Sequence, residues 1–341
     1  MSFRKHRSSW LIIMRSARYN GAKLINRSGM LVSLTKYLTI VTLLFFLNTL
    51  HSSCRKNNSI VTPVPTKDIV SKKKLDTYTE VQYGNMPLII SVPHGGTDDP
   101  ATIPDRTCPG ITTVTDGSVI EMANAIDSVC KADYGYQPYL VICYLKRTKI
   151  DQNRDLPEAT CSNSSITSIW NNYHLSIDSF ITKITAKYPA ALFIDLHGHG
   201  HTKQRLELGY LLTSNELRSP STILPASASV YNLLQQNTSL QINQLLTGPN
   251  AFGTLMANKS FPSVPSQQDA APLATDDYFD GGYNTQRYCS NAKTFGWQIE
   301  SNYTGVRDNQ TSRVKFAKAF LQSVMQFYTA NTSMNPTQFG K

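Results

Sequence analysis

The stretch that most limits what this chain can fold into is Ala190 to His201, read as A-A-L-F-I-D-L-H-G-H-G-H. Its first five residues are small or apolar and read as a buried strand. Asp195, His197, His199 and His201 then crowd the end of that strand, taking three of the chain's seven histidines. Open α/β sheets carry their chemistry at the carboxyl ends of strands, so a site belongs here. Neutral imidazole is the commonest zinc ligand, and a neighbouring carboxylate fixes the ring tautomer so that one nitrogen faces the metal. Asp195 suits that supporting role. A fully extended chain would put all four residues on one side, but Gly198 and Gly200 predict a turn, so three histidines do not count as three ligands.

Other apolar runs end the same way. Pro87 to Val92 stops at Pro93-His94-Gly95-Gly96, and Tyr139 to Tyr144 leads into Leu145 to Asp155, which holds Arg147, Asp151, Asn153 and Arg154. Phe295 to Glu300 is a last strand with a glutamate at its end, and Glu207 to Leu212 is another. Helical spacing marks Ser118 to Cys130, Trp170 to Lys187 and Ser312 to Tyr328, with shorter pieces at Val230 to Gln236 and Gln241 to Leu246. Strands alternating with helices over this length predict an α/β sheet layered by helices. Gly248 to Asp277, with four prolines, reads as a long irregular segment serving as a lid or pocket wall.

The formal charge of +10 suggests nucleic acid until its location is considered. Residues 1–29 hold seven basic residues and no acid, and from Cys54 onward 25 basic residues face 23 acidic ones. The excess belongs to the leader, so nucleic acid is excluded as a partner. Met30 opens a second, more orderly beginning: one lysine, an apolar run from Tyr37 to Leu50, then Ser52-Ser53-Cys54. This resembles a lipoprotein signal peptide over 30–53, with Cys54 as the lipidated first residue of an exported, membrane-anchored protein facing the periplasm or cell surface. Residues 1–29 then read as a start assigned too early, 54–76 as a tether, 77–330 as the domain and 331–341 as a tail. Roughly 265 residues remain to bury one large core. The domain keeps Cys108, Cys130, Cys143, Cys161 and Cys289 without any C-x-x-C. That spacing argues against a cysteine zinc site, and an odd count leaves at least one thiol without an internal partner.

Taken together, Ser91-Val92-Pro93-His94-Gly95-Gly96, Arg147-x-x-x-Asp151-x-Asn153-Arg154, Asp195-Leu196-His197-Gly198-His199, Gly281-Gly282-Tyr283 and Gln298-Ile299-Glu300 resemble, in order, the motif set of the N-formylglutamate amidohydrolase family. The resemblance spans roughly residues 80 to 305. It implies a phosphorylase/hydrolase-like, zinc carboxypeptidase-like α/β fold with a mixed, mostly parallel sheet flanked by helices. It further implies Zn(2+) bound by His94 and His197, Glu300 as general base, Arg147 on the scissile carbonyl or its oxyanion, and Asn153 and Arg154 gripping a substrate carboxylate. Gly282 and Tyr283 fall to the substrate pocket, Tyr283 as a wall or a hydrogen-bond donor. Asp151 either touches substrate or orients an arginine.

The third ligand is where the match loosens. Zinc carboxypeptidases place a glutamate three residues after the first histidine, and here Thr97 stands there. Asp116 is the choice because the amidohydrolases tend to keep an aspartate near a helix start; Asp98, Asp99 and His199 remain alternatives. The implied activity is hydrolysis of a linear amide bond in N-formylglutamate, another N-acyl amino acid or a short peptide with a free carboxylate. Its rivals are a cell-wall peptide carboxypeptidase or amidase, and a non-catalytic ligand-binding lipoprotein on the same fold.

Overall fold

The computed structural model describes residues 71–219 and 225–340. The leader, Cys54 and most of the expected tether lie outside the described residues. Among those described, no helix is long and apolar enough to cross a membrane.

The apolar runs become one eight-stranded sheet: β1 (Lys73–Lys74), β2 (Thr79–Gln82), β3 (Leu88–Val92), β4 (Tyr139–Cys143), β5 (Ala191–Gly198), β6 (Leu206–Gly209), β7 (Ser263–Val264) and β8 (Thr294–Ser301), in spatial order β1-β2-β4-β3-β5-β8-β6-β7. The central strands β4, β3, β5 and β8 are parallel. β1 and β2 extend one side antiparallel, while β6 returns antiparallel on β8 and carries β7 parallel to it. The sheet is therefore mixed and mostly parallel, as the sequence predicts.

The helices are α1 (Val119–Tyr134), α2 (Leu156–Thr160), α3 (Thr167–Thr185), α4 (Ser214–Arg218), α5 (Tyr231–Gln236), α6 (Ile242–Leu246), α7 (Phe252–Ala257), α8 (Tyr283–Cys289) and α9 (Gln310–Asn331). They cover both faces, which is why the central strands read as unbroken apolar runs rather than as alternating ones. Leu88, Ile90 and Val92 of β3 and Leu192, Ile194 and Leu196 of β5 share a core with Met122 and Ile126 of α1 and Phe316 and Phe320 of α9. Ile89 and Phe193, their neighbours in sequence, join Ile177, Phe180 and Ile181 of α3 on the other face.

Three expectations need correction. The turn predicted by Gly198 does not form there: β5 runs through Gly198 because β8 pairs with it residue for residue, from Ala191 opposite Thr294 to Gly198 opposite Ser301. Gly248 to Asp277 is neither structureless nor a pocket wall. It contains α7 and β7, lines no part of the cavity described below, and is tied down by Arg205, whose Nη1 lies 2.8 Å from Asp269 and Nη2 3.1 Å from Asp276. The folded part also reaches beyond 77–330 at both ends, from β1 at Lys73 to Phe339, whose ring packs on Tyr136, Tyr188 and Tyr328.

Cys108 and Cys161 form a disulfide across 53 residues, and Cys130, Cys143 and Cys289 are buried free thiols. The bridge fastens the loop preceding α1 to the end of α2. Closing a span of that length removes enough unfolded-chain entropy to add up to about 4 kcal/mol of stability. Replacing both cysteines by serine should lower the unfolding free energy by an amount of that order, read from urea midpoints with and without reductant. The fully buried His174 gives a second measurable term. Burial, helped by the Arg287 charge, pulls its pKa down to about 3 from 6.5. The unfolded chain thus takes up a proton here that the folded chain refuses, so this contribution is intact above about pH 6.5 and is lost as pH falls toward 3. His174→Gln should flatten the drop in urea midpoint between pH 7 and pH 5.

Candidate metal centre

The parallel pairing of β5 with β8 sets His197 directly opposite Glu300, and the pairing of β3 with β5 brings the chain that leaves Val92 to the same end of the sheet. His94 follows two residues later. Gly96 is required there, since a Cβ would stand 2.2 Å from the Tyr144 carbonyl carbon. Asp116 arrives from the loop before α1 and is anchored by its own backbone, with Asp116 N–H donating to His94 O at 3.0 Å.

The two imidazoles are oriented from behind. His94 Nε2 lies 2.6 Å from Asp151 Oδ1, and His197 Nε2 lies 2.9 Å from Asp195 Oδ2. A carboxylate at that distance keeps the hydrogen on Nε2, which leaves the Nδ1 lone pair of each neutral ring facing forward. The two Nδ1 atoms are 3.1 Å apart, and Asp116 Oδ2 stands 3.1 Å from that of His197 and 3.7 Å from that of His94. Two lone pairs and a carboxylate aimed at one point repel each other unless a cation shares them. Histidine and carboxylate donors suit zinc. His94, Asp116 and His197 are all buried and form a donor set able to hold a metal ion.

Glu300 Oε1 is 3.9 Å from His197 Nδ1 and accepts a bond from Gln298 Nε2 at 3.0 Å. Burial pushes Glu300 up to about 8, with the His197 charge opposing and the Asp116 carboxylate reinforcing the rise. Asp116 moves the other way when the Nδ1 atoms carry protons in place of a metal: burial disfavours its charge, but hydrogen bonds and charge from His197 and His94 then outweigh that and hold it well below the usual carboxylate range. His197 is raised, because the Asp195 and Asp116 carboxylates overcome the cost of burying its charge. A proton and a metal ion therefore compete for the same Nδ1 lone pair.

A cavity of about 330 Å³ opens over this cluster, lined among others by Arg147, Asn153, Arg154, Gly282 and Glu300. Asp151 does double duty: its second oxygen accepts from Arg147 Nε at 2.9 Å, so one carboxylate orients both a histidine and an arginine. Asn153 is locked by Asn284 N–H, which donates to its Oδ1 at 2.8 Å, and by Gly282, where a Cβ would meet Asn153 Nδ2 at 2.4 Å. Arg154 is half-buried, with Nε on Glu158 at 2.7 Å and Nη1 on Asn153 O at 2.7 Å.

The structure does not bring Tyr283 to the cavity. As the first residue of α8 it turns toward α3: its ring meets His174, and its hydroxyl accepts from Arg287 Nη1 at 3.1 Å. Asp98 and Asp99 also stay away from the cluster. Asp98 bridges Leu145, and Asp99 pairs with Lys146 and Lys149 on the surface. His199 lines the cavity with both nitrogens engaged, Nε2 at 2.8 Å from Arg205 O and Nδ1 accepting from His201 N–H at 3.1 Å.

Two arginines carry the frame without any sequence signal. Buried Arg106 donates to Arg147 O and Thr112 O, and buried Arg307 donates to Ser301 O, His199 O and Gly117 O. Each ties a nearby backbone carbonyl to one at least 41 positions away, and no local motif marks such a role.

No protein-family model and no curated protein matches the chain. Among solved structures it is similar to an N-formylglutamate amidohydrolase from Ralstonia eutropha JMP134 at 13% identity, TM-score 0.46, over 75% of this chain and 97% of that one. It is similar to a gene product of Agrobacterium tumefaciens at 11% identity, TM-score 0.43, over 73% and 95%. It is also similar to the succinylglutamate desuccinylase from Chromobacterium violaceum at 12% identity, TM-score 0.32, over 79% and 77%.

The carboxylate behind His197 gives a direct test of the donor set. Zinc titration of Asp195→Asn should show an affinity about 10- to 100-fold below that of the unaltered chain, because the ring loses the partner that fixes its tautomer.

Proposed function

We propose that the chain is a zinc-dependent hydrolase of a linear amide bond in a small N-acyl amino acid, with N-formylglutamate among the candidates, or in a short peptide with a free carboxylate. The observation that carries this reading is the convergence of His94 Nδ1, His197 Nδ1 and Asp116 Oδ2 beside a buried Glu300. A cavity of about 330 Å³ suits a small ligand rather than a polymer.

His94, His197 and Asp116 would hold a zinc ion, which when bound would supply Lewis acidity toward the scissile carbonyl and the attacking water. Glu300 takes the proton from the attacking water and returns it to the leaving nitrogen. Arg147, kept in place by Asp151, faces the carbonyl oxygen as it gains charge. Asn153 and Arg154 hold the substrate carboxylate, and Gly282 leaves room for Asn153 to stay where it is. A planar guanidinium meets a carboxylate through two parallel hydrogen bonds, which a lysine cannot reproduce. Among the rivals, a pure binder has no use for a base beside a metal ligand, and Glu300 favours the enzyme.

The place of work belongs to the same proposal: an exported domain, tethered by lipid on Cys54. The leader pattern supports it, as does a disulfide between Cys108 and Cys161, since such bonds persist in oxidising compartments.

Glu300→Gln should keep one zinc per chain by elemental analysis while cutting turnover at least ~100-fold across a panel of N-formylglutamate, N-acetyl amino acids and muramyl peptides. Parallel loss of zinc would make Glu300 a ligand. Absence of zinc-dependent turnover of every compound by the unaltered chain would leave a binding protein.

A further inference from the structure

The mechanism above leaves unused one ionisable pair, of which His201 lines the same cavity and Glu207 lies behind it. Glu207 is fully buried in β6, directly across the strand pairing from Glu300. Its Oε1 lies 2.9 Å from His201 Nδ1, and its Oε2 accepts from Phe279 N–H at 2.9 Å. His201 lines the cavity, retains 19% side-chain exposure and stacks on Phe279 with ring centroids 4.7 Å apart. A carboxylate removed from water needs a counter-charge. Arg205, the nearest cation in sequence, is already paired with Asp269 and Asp276, and His201 is the ionic partner found for Glu207 among the described residues. In the ion-paired form both ring nitrogens carry hydrogen: Nδ1–H serves Glu207, and Nε2–H has no hydrogen-bond partner within the described chain.

A second metal ion is the obvious competing use, since His199, His201 and Glu207 lie close enough to share one. His199 argues against it. One of its nitrogens donates to the Arg205 carbonyl and the other accepts the His201 amide, so neither lone pair is left for a ligand bond.

Strand order fixes what the pair can face. The Arg147 to Arg154 segment follows β4 on one side of the metal cluster, whereas Glu207 lies in β6 beyond β8 on the other. Arg154 and His201 nonetheless line one cavity. We propose that His201, held by Glu207 and backed by Phe279, forms the subsite for the acyl portion of the substrate, and that this acyl group ends in a carboxylate, as in a dicarboxylic half-amide. The inference rests on the hydrolase reading and adds the acyl class that reading leaves open.

A matched pair of probes isolates the terminal carboxylate. Calorimetry on the zinc-loaded whole chain should show succinate binding at least tenfold tighter than butyrate, with the preference lost in both His201→Phe and Glu207→Gln. Glu207→Gln keeps an acceptor for Phe279 N–H, and wild-type zinc stoichiometry in each variant confirms a folded site. Equal binding of the two probes, or a preference that survives His201→Phe, overturns the subsite. So does a second zinc per chain that disappears with His201. With N-succinyl- and N-butyrylglutamate as substrates, the same loss should appear in KM rather than in kcat. Failure of both compounds together with every compound of the earlier panel would sink the hydrolase reading, while calorimetry would still decide the subsite.

Discussion

Everything at the carboxyl end of this sheet depends on one electrostatic constraint: two imidazole rings are held with their lone pairs facing each other by carboxylates pressing from behind. Asp151 and Asp195 spend their charge on Nε2, so Nδ1 has to face forward, into Asp116. Burial makes the arrangement costly, because unpaired polar atoms in a low-dielectric interior cannot turn to water for relief. The rest of the architecture can be understood as what keeps that congestion from relaxing. Ser91 Oγ and Asn284 Nδ2 donate to Asp195, and Arg147 and the Asn153 amide donate to Asp151. Two segments that never meet in sequence, one after β4 and one at α8, thereby become the rear wall of a single centre.

Much of this was legible in the chain. The apolar runs marked β3, β4 and β8 to within a residue or two, because burial on both faces removes polar residues that would blur their ends, whereas β5 runs four residues past its apolar stretch to Gly198. His94, His197 and Glu300 could be nominated because each closes such a run, and the structure gathers them with Asp116, Arg147 and Asn153. Asp116 could be named but not preferred on physical grounds, since a single aspartate in a proline-rich loop has no periodicity to place it. What brings it to the cluster is a hydrogen bond from its backbone N–H to His94 O, between residues 22 positions apart.

The failures have identifiable physical causes. Gly198 looked like a turn because glycine's freedom was weighed without the partner strand that holds it extended. Tyr283 looked like part of the pocket because it adjoins Gly282, but a helix begins between them and the side chain rotates away with it. Gly248 to Asp277 looked like a lid because prolines obscure short elements, and its anchor, Arg205, sits more than 60 residues earlier. For Gly198 and for Gly248 to Asp277 a long-range bond outweighed a sound local preference, and for Tyr283 the direction of a helix start did.

Gly198 and Arg307 show what such a long-range bond demands. A Cβ at position 198 would lie 2.3 Å from the Arg307 guanidinium carbon, the group that fastens the ends of β5 and β8 to the turn after Asp116. The small residue between two histidines is thus a vacancy reserved for a side chain 109 positions downstream. The two sites are one packing unit: a larger side chain at the first would displace the guanidinium at the second and loosen the carbonyls it fastens, so a change at either calls for a matching change at the other.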